Sequence, residues 1–254
     1  MFPALAPTTP SWRRAGVIAG LGIVGVLSLL ASTVLPPEAA SQTGLPEPAL
    51  RVLVLIQPLA LVIGAAILGD RLTRTTWLQA PFLSRSGNVP LRGAVTDALI
   101  GALVVGGVLV AYTWFTTEVA PVTLVPGTSL SLVTAVLYGG LTEEVLMRWG
   151  LMSLVVWLLV KVARRRNTEA PSTGIIVTAI VVTALVFAIL HFPALIALGN
   201  AGGAVIAAAM TANVLAGLVF GALFARRGIE SAMMAHGGAH VVGGALSALF
   251  LSAS

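Results

Sequence analysis

Cysteine is absent from this chain, and only 9% of its residues are charged. The first absence excludes disulfides and thiolate metal sites. The second argues against a water-soluble domain, in which roughly 25% of residues carry charge. Aromatic residues are few, at 6%, and offer no stacking platform. The net charge of +5 comes almost wholly from arginine and forms no basic stripe. No nucleic-acid partner is therefore expected, and in a membrane protein such charge sets orientation instead.

What the chain does have is apolar residues, 57% of its 254 positions. A soluble core cannot absorb that much apolar surface, so the bilayer is expected to take it. A membrane-crossing helix needs about 20 mostly apolar residues. Seven such segments stand out, at 15–35, 50–69, 94–117, 129–162, 174–198, 201–225 and 230–252. The expected fold is all-α, a polytopic transmembrane helical bundle of about seven helices, possibly eight. The first run follows Arg13 and Arg14 and ends in Ala31-Ser32-Thr33, a weak cleavage site, so it is taken as a retained helix. No internal repeat and no soluble domain is visible. The polar stretch 70–93 has an apolar centre, Trp77-Leu78-Gln79-Ala80-Pro81-Phe82-Leu83, expected to lie in the membrane interface.

The arginines suggest a topology. With the N-terminus in the cytoplasm, 70–93 is cytoplasmic with its four arginines. Glu38, Glu47 and Glu118 then face outward, although Arg51 sits just past the linker 36–49. If 129–162 crosses once, Lys161, Arg164, Arg165 and Arg166 are also inside, as are Arg226 and Arg227. Every basic cluster then falls on one side, as the positive-inside rule asks. Segment 129–162 would run about 50 Å as one helix, against a bilayer core of roughly 30 Å. A break at Gly139-Gly140 would instead make two crossings and eight helices. Seven is the preferred arrangement, in a multi-pass protein of the cell membrane.

Ionisable groups inside membrane helices are costly and usually mark function. Here they are Asp97, Glu143, Glu144, Arg148, His191, His236 and His240, a set that contains all three histidines of the chain. Glu144 and Arg148 stand four apart, in the favourable order for an ion pair. Glu143 is turned about 100° away on an α-helix, free to meet groups from other helices as a general base or acid. The blander reading is a structural ion pair with a spare glutamate. His191 closes Phe187-Ala188-Ile189-Leu190-His191 before Pro193, whose break in the backbone ladder leaves carbonyls for an imidazole. It suits either packing or chemistry. His236 and His240 share a helix face. Such a pair can hold a metal, donate to a developing oxyanion, or form a packing seam. No glutamate follows His236, so the zincin motif is not present. Asp97 is expected at the interface near Arg92, Asn213 in an interhelical hydrogen bond, and Gly217-x-x-x-Gly221 in helix packing.

Three motifs thus occur in one order: Glu-Glu-x-x-x-Arg at 143–148, Phe-x-x-x-His at 187–191 and His-x-x-x-His at 236–240. This ordered set resembles the CPBP family of CAAX proteases and bacteriocin-processing enzymes, also termed Abi proteins. The approach Arg226-Arg227-Gly228-Ile229-Glu230-Ser231 is similar too. The resemblance covers roughly 129–252. It divides the chain into N-terminal membrane helices without a signature, 1–128, and a catalytic helical core, 129–254.

The resemblance implies an intramembrane endopeptidase acting on membrane-associated proteins or peptides. It implies Glu143 as catalytic glutamate, His191 as its helper in activating water, and His236 and His240 as site and oxyanion residues. Glu144 and Arg148 would support them. The family usually has asparagine where this chain has His240. Both metal-dependent and metal-free mechanisms are compatible with the motifs. A divalent metal such as zinc would take His191, His236, His240 and Glu143. The rival functions are a non-catalytic immunity or scaffold protein and a small proton-coupled transporter. One geometric expectation sits apart: helical rise puts His236, and with it Glu143, about 10 Å from the cytoplasmic side, and His191 nearer the outer face.

Overall fold

The structure, a computed structural model, describes residues 8–31, 43–85, 89–121, 131–163, 169–197 and 202–251. Among these residues are seven long helices and no strand. They are α1 (Trp12–Ser28), α2 (Glu47–Thr76), α3 (Leu91–Trp114), α4 (Leu132–Val162), α5 (Thr173–Ala197), α6 (Gly203–Arg227) and α7 (Ile229–Leu251). Six, α1 to α6 with their short extensions, are long and apolar enough to cross a membrane. Large aliphatic side chains such as Val52, Ile56, Leu99, Leu103 and Ile189 stand exposed on the outside of the bundle. In water such surface would be a liability; against lipid tails it is the solvent-matched face. The expected Arg164, Arg165 and Arg166 cluster, and Glu38, lie outside the described residues.

Segment 129–162 is described from residue 131, and Leu132–Val162 is long and apolar enough for one crossing. Its described part is one helix, so seven helices stand rather than eight. Gly139-Gly140 does not break α4 but widens it. Between α-helical ends at Leu132–Thr134 and Ser153–Val162, the backbone runs as π-type helix over Ala135–Glu143 and Val145–Met152. Turns of this kind recur at functional sites.

Helix α4 is the axis of the bundle. Thr142 Oγ1 donates to the Gly22 carbonyl of α1 at 2.7 Å, and the Trp149 indole donates to the Ala66 carbonyl of α2 at 3.0 Å. Helix α7 packs against α3, α4 and α6. One core joins Ile18 and Val62 from the first helices to Val145, Phe220 and Ile229, so helices from both sides of position 128 share it.

The stretch Trp77–Leu83 is folded against the bundle. It folds under the start of α7, where the Ile229 N–H donates to the Gln79 carbonyl at 3.0 Å. The N–H groups of Phe82 and Leu83 both donate to Glu230 Oε1 at 3.0 Å. Gly228 makes the turn from α6 into α7 with φ +94°, beside Pro81, where a side chain has neither the backbone angle nor the space. Asp97 pairs with Arg227 at 2.8 Å and approaches Arg226 at 3.9 Å, tying α3 to the end of α6, and its partner is not Arg92.

Helix contacts this close predict contrasting glycine variants. A Cβ on Gly69 would stand 2.6 Å from the Trp149 indole nitrogen, whereas one on Gly64 meets nothing within 4 Å. Gly69→Ala should lower stability by about 1–3 kcal/mol. Gly64→Ala should be neutral or stabilising by up to about 1 kcal/mol. Thermal unfolding of the two variants in detergent checks the contrast.

Candidate active site

The two glutamates of α4 have different surroundings. Glu144 is wholly buried, 0% exposed, while Glu143 is 20% exposed into a cavity. Glu144 Oε1 lies 3.4 Å from Arg148 Nη1 and 2.8 Å from His236 Nδ1. Arg148 is itself buried and spends Nη2 on the Gly217 carbonyl of α6 at 3.4 Å, with its guanidinium over the Phe187 and Phe220 rings. A charge this far from water persists only when paired and hydrogen-bonded.

Glu143 sits on the other side of the same imidazole. Its Oε2 is 3.8 Å from His236 Nε2, and its Oε1 is 3.9 Å from His191 Nε2. A wide π-type turn holds more residues than an α turn, so neighbours diverge by less than 100°. Both carboxylates therefore address His236, though unequally. Each separation around Glu143 is too long for a direct hydrogen bond. It is the spacing of groups that share a water between them or tighten on a substrate.

The depths of the helices explain how His191 arrives. Glu143 lies 19 residues before Val162, and His191 lies 18 residues after Thr173. At 1.5 Å per residue both stand roughly 27 Å from the same end of the bundle. The expected separation in depth does not occur, because α4 runs well beyond a bilayer's thickness and carries Glu143 away from its cytoplasmic end. Pro193 remains inside α5, and the Phe187 carbonyl, four residues before His191, receives its Nδ1 at 2.7 Å.

A carbonyl can only accept, so His191 Nδ1 carries the proton and Nε2 presents a lone pair. The same logic applies to His236 facing an ionised Glu144. His240 stacks on His236 at 5.2 Å and has no hydrogen-bond partner among the described residues. Gly139 leaves room for the pair: a Cβ there would stand 2.7 Å from His240 Nε2 and 3.0 Å from His236 Nε2. A Cβ on Gly140 would likewise stand 3.0 Å from the Gly237 backbone, so its absence lets α4 and α7 approach at this level.

Two imidazole lone pairs and a carboxylate, each ring oriented by an acceptor behind it, match the donor types of a divalent metal site. The spacing does not match: among the described residues, no group of three His, Asp or Glu side chains is gathered to hold an ion.

The cavity in front of Glu143 holds about 300 Å³. Its walls are mostly apolar, with Val105 and Leu109 from α3, Leu195 from α5 and Ala209 from α6. Asn213 lines it as well and spends Nδ2 on its own helix, on the Ala209 carbonyl, rather than on another helix. Sequence reasoning missed two further lining residues, Tyr112 and Tyr138. The signal was available: the chain has only two tyrosines, and both are here. Tyr138 precedes Glu143 by five residues, one π-type turn. Gly217 and Gly221 do pack, against Ala184 and Ile180 of α5.

Residues 125–242 match the family model described as Rce1-like, the type II CAAX prenyl endopeptidases. The chain carries an Rce1-like domain. No curated protein and no solved structure matches it. The matched stretch holds Glu143, His191 and His236 together with His240, and the CAAX protease family is one of intramembrane endopeptidases. With its apolar helices, this makes the chain a multi-pass membrane protein. The Rce1-like stretch leaves out α3, yet α3 supplies one wall of the cavity.

Breaking a buried ion pair by removing one partner costs about 3–5 kcal/mol, since the other charge is left in an apolar interior. Arg148→Ala should therefore lower the yield of folded protein. Size-exclusion profiles and melting in detergent are the measurement, and a profile like that of the parent protein would contradict a structural role for Arg148.

Proposed function

We propose that this protein is an intramembrane endopeptidase in which Glu143 activates water to hydrolyse a peptide bond of a membrane-associated protein or peptide. The observation that carries this reading is the approach of His191 Nε2 and His236 Nε2 to the two oxygens of Glu143, at 3.9 and 3.8 Å, in the wall of the cavity. A water there donates one hydrogen to Glu143 and the other to His191 Nε2. Glu143 removes a proton as the water oxygen bonds to the scissile carbonyl carbon. The new carboxylic acid finds an acceptor in His236 Nε2. The carbonyl oxygen, now an oxyanion, takes a hydrogen bond from the ring N–H of His240. When the C–N bond breaks, Glu143 passes its proton to the leaving amine, and a carboxylic acid and an amine depart. Glu144 and Arg148 orient His236 from behind.

The apolar cavity walls suit a substrate segment that arrives from the bilayer, and a prenylated C-terminus is one member of that class. The arginines at the start of α1 and α3 and at the end of α2 and α6 share one end of the bundle, while Arg51, paired with Glu47, lies at the other. The positive-inside rule gives that end, with the N-terminus, to the cytoplasm.

Glu143→Gln should fold normally and lose cleavage of membrane-anchored peptides by at least about 100-fold, the lower range of general-base catalysis. Cleavage undiminished in that variant would end the protease reading as drawn here and favour a non-catalytic scaffold. Metal content of the purified protein, with activity in chelator, tests the metal-free route: activity should persist. Loss of activity that returns on adding zinc would transfer water activation to an ion held by His191, His236 and Glu143.

His240 allows a finer test. A lost oxyanion donor costs about 100- to 1000-fold in rate. His240→Asn keeps a donor and should retain most activity, whereas His240→Ala should lose it at unchanged melting temperature. Full activity in His240→Ala would return this residue to a packing role.

A further inference from the structure

A second pocket, of about 570 Å³, opens at the arginine-rich end of the bundle, remote from the cavity around Glu143. We infer that it binds the phosphate of an anionic lipid headgroup. Arg14 forms its floor. Of the five N–H donors of a guanidinium, Arg14 spends one on Asp70 Oδ1 at 2.6 Å and one on Ser84 Oγ at 3.1 Å. Two more go to the Thr9 carbonyl and Thr73 Oγ1, and one on Nη1 is left over. Ser84 accepts from Arg14, so its own O–H is left to donate.

The charge of Asp70 is used up inward, on Arg14 and on the Ser11 N–H at 2.6 Å. Glu230, the other carboxylate behind this wall, has its Oε1 engaged by the N–H groups of Phe82 and Leu83. Arg13 and Arg85 line the pocket, are exposed, and have no carboxylate partner among the described residues. Arg85 is held at φ +48°, a conformation L residues adopt at a cost. Thr8 Oγ1, also in the lining, is buried with no hydrogen-bond partner among the described residues. The pocket thus combines two unpaired guanidiniums with a guanidinium N–H and two hydroxyl groups that lack an acceptor. That is a recognition set for a phosphate oxyanion.

The remaining lining distinguishes a lipid from a free anion. Val17 and Leu83, both exposed aliphatic residues, form part of the same pocket. It lies where α1 enters its apolar run, at the depth of headgroups. Exposed Trp12 beside it, stacked under Arg71 at 4.0 Å, is an interfacial anchor. An amphiphile with an anionic head and an aliphatic tail satisfies both halves, as in basic pockets that hold lipid headgroups.

The test uses the full chain in neutral detergent, titrated with short-chain phosphatidylglycerol and followed by native mass spectrometry. Each basic side chain near an anionic lipid contributes about fivefold in affinity, so Arg13→Gln with Arg85→Asn should weaken binding about 30-fold. Asparagine is chosen at 85 because it tolerates the left-handed backbone. The control pair Arg74→Gln with Arg92→Gln, exposed but outside the pocket, should bind as the parent does. Inorganic phosphate at equal concentration should not displace the lipid. Undiminished binding in the first double variant overturns the site, as does an equal loss in the control pair. Displacement by phosphate as effective as by lipid overturns the lipid assignment. Should the double variant melt early, Arg13→Gln alone is read instead, with about fivefold weakening expected.

Discussion

A guanidinium and a carboxylate held in the middle of an apolar bundle constrain everything around them. Arg148 is 2% exposed and Glu144 is not exposed at all, so neither can be solvated by bulk water. Their partners must come from the protein, and they come from different helices: Gly217 of α6 for one and His236 of α7 for the other. Each of those bonds works only if its helix stands at a fixed height and rotation relative to α4. The pair therefore registers three helices against one another. The register, in turn, fixes which nitrogen of His236 is left to face Glu143.

Adjacent glutamates thus divide into two kinds of group without any difference in side-chain chemistry. Glu144 has one oxygen taken between Arg148 and His236, the other being buried without a hydrogen-bond partner, and it is spent on structure. Glu143 faces two ring nitrogens at distances that leave space, and a cavity lies in front of it. The π-type backbone of α4 is what lets two neighbouring side chains flank one imidazole. In regular α-helix they would diverge further, and one would lose the ring. Gly139 and Gly140 contribute on the opposite side, by removing the atoms that would hold α7 and its histidines away. A wide helix and a bare helix surface occur at the same height, and both serve the same contact.

Much of this was legible in the sequence, because membrane burial makes polar residues conspicuous. Seven apolar runs gave seven helices, and the short set of ionisable residues within them contained Glu143, Glu144, Arg148 and the three histidines that the bundle gathers. The spacing of Glu144 and Arg148 gave their pairing, since the four-residue rule is local. What was not legible depends on relations between helices. The depth of Glu143 was misjudged because α4 is longer than a bilayer is thick and carries Glu143 up to the level of His191, and no local pattern states where a helix sits along the membrane normal. The segment Trp77–Leu83 looks interfacial by composition. Its burial depends on Glu230, almost 150 residues away in sequence. Asn213 was given an interhelical bond on general grounds and instead bonds within its own helix while facing the cavity.

Building such a site wholly from helices has a consequence for how water and substrate meet. In a soluble enzyme, loops bring reactive groups to a solvent-exposed cleft. Within a bilayer an irregular loop leaves backbone groups unsatisfied, so the reactive groups must be displayed on continuous helices. Here they come from α4, α5 and α7, and the space between them is necessarily an interhelical gap. Its far wall is α3, which lies outside the family-matched stretch and contributes aliphatic side chains and Tyr112. The ionisable cluster is therefore encoded wholly within the family-matched stretch, whereas the wall facing it draws also on a helix outside that stretch. Variation in α3 can alter what enters the gap while the arrangement of Glu143, His191 and His236 stays under the control of the buried Arg148–Glu144 pair.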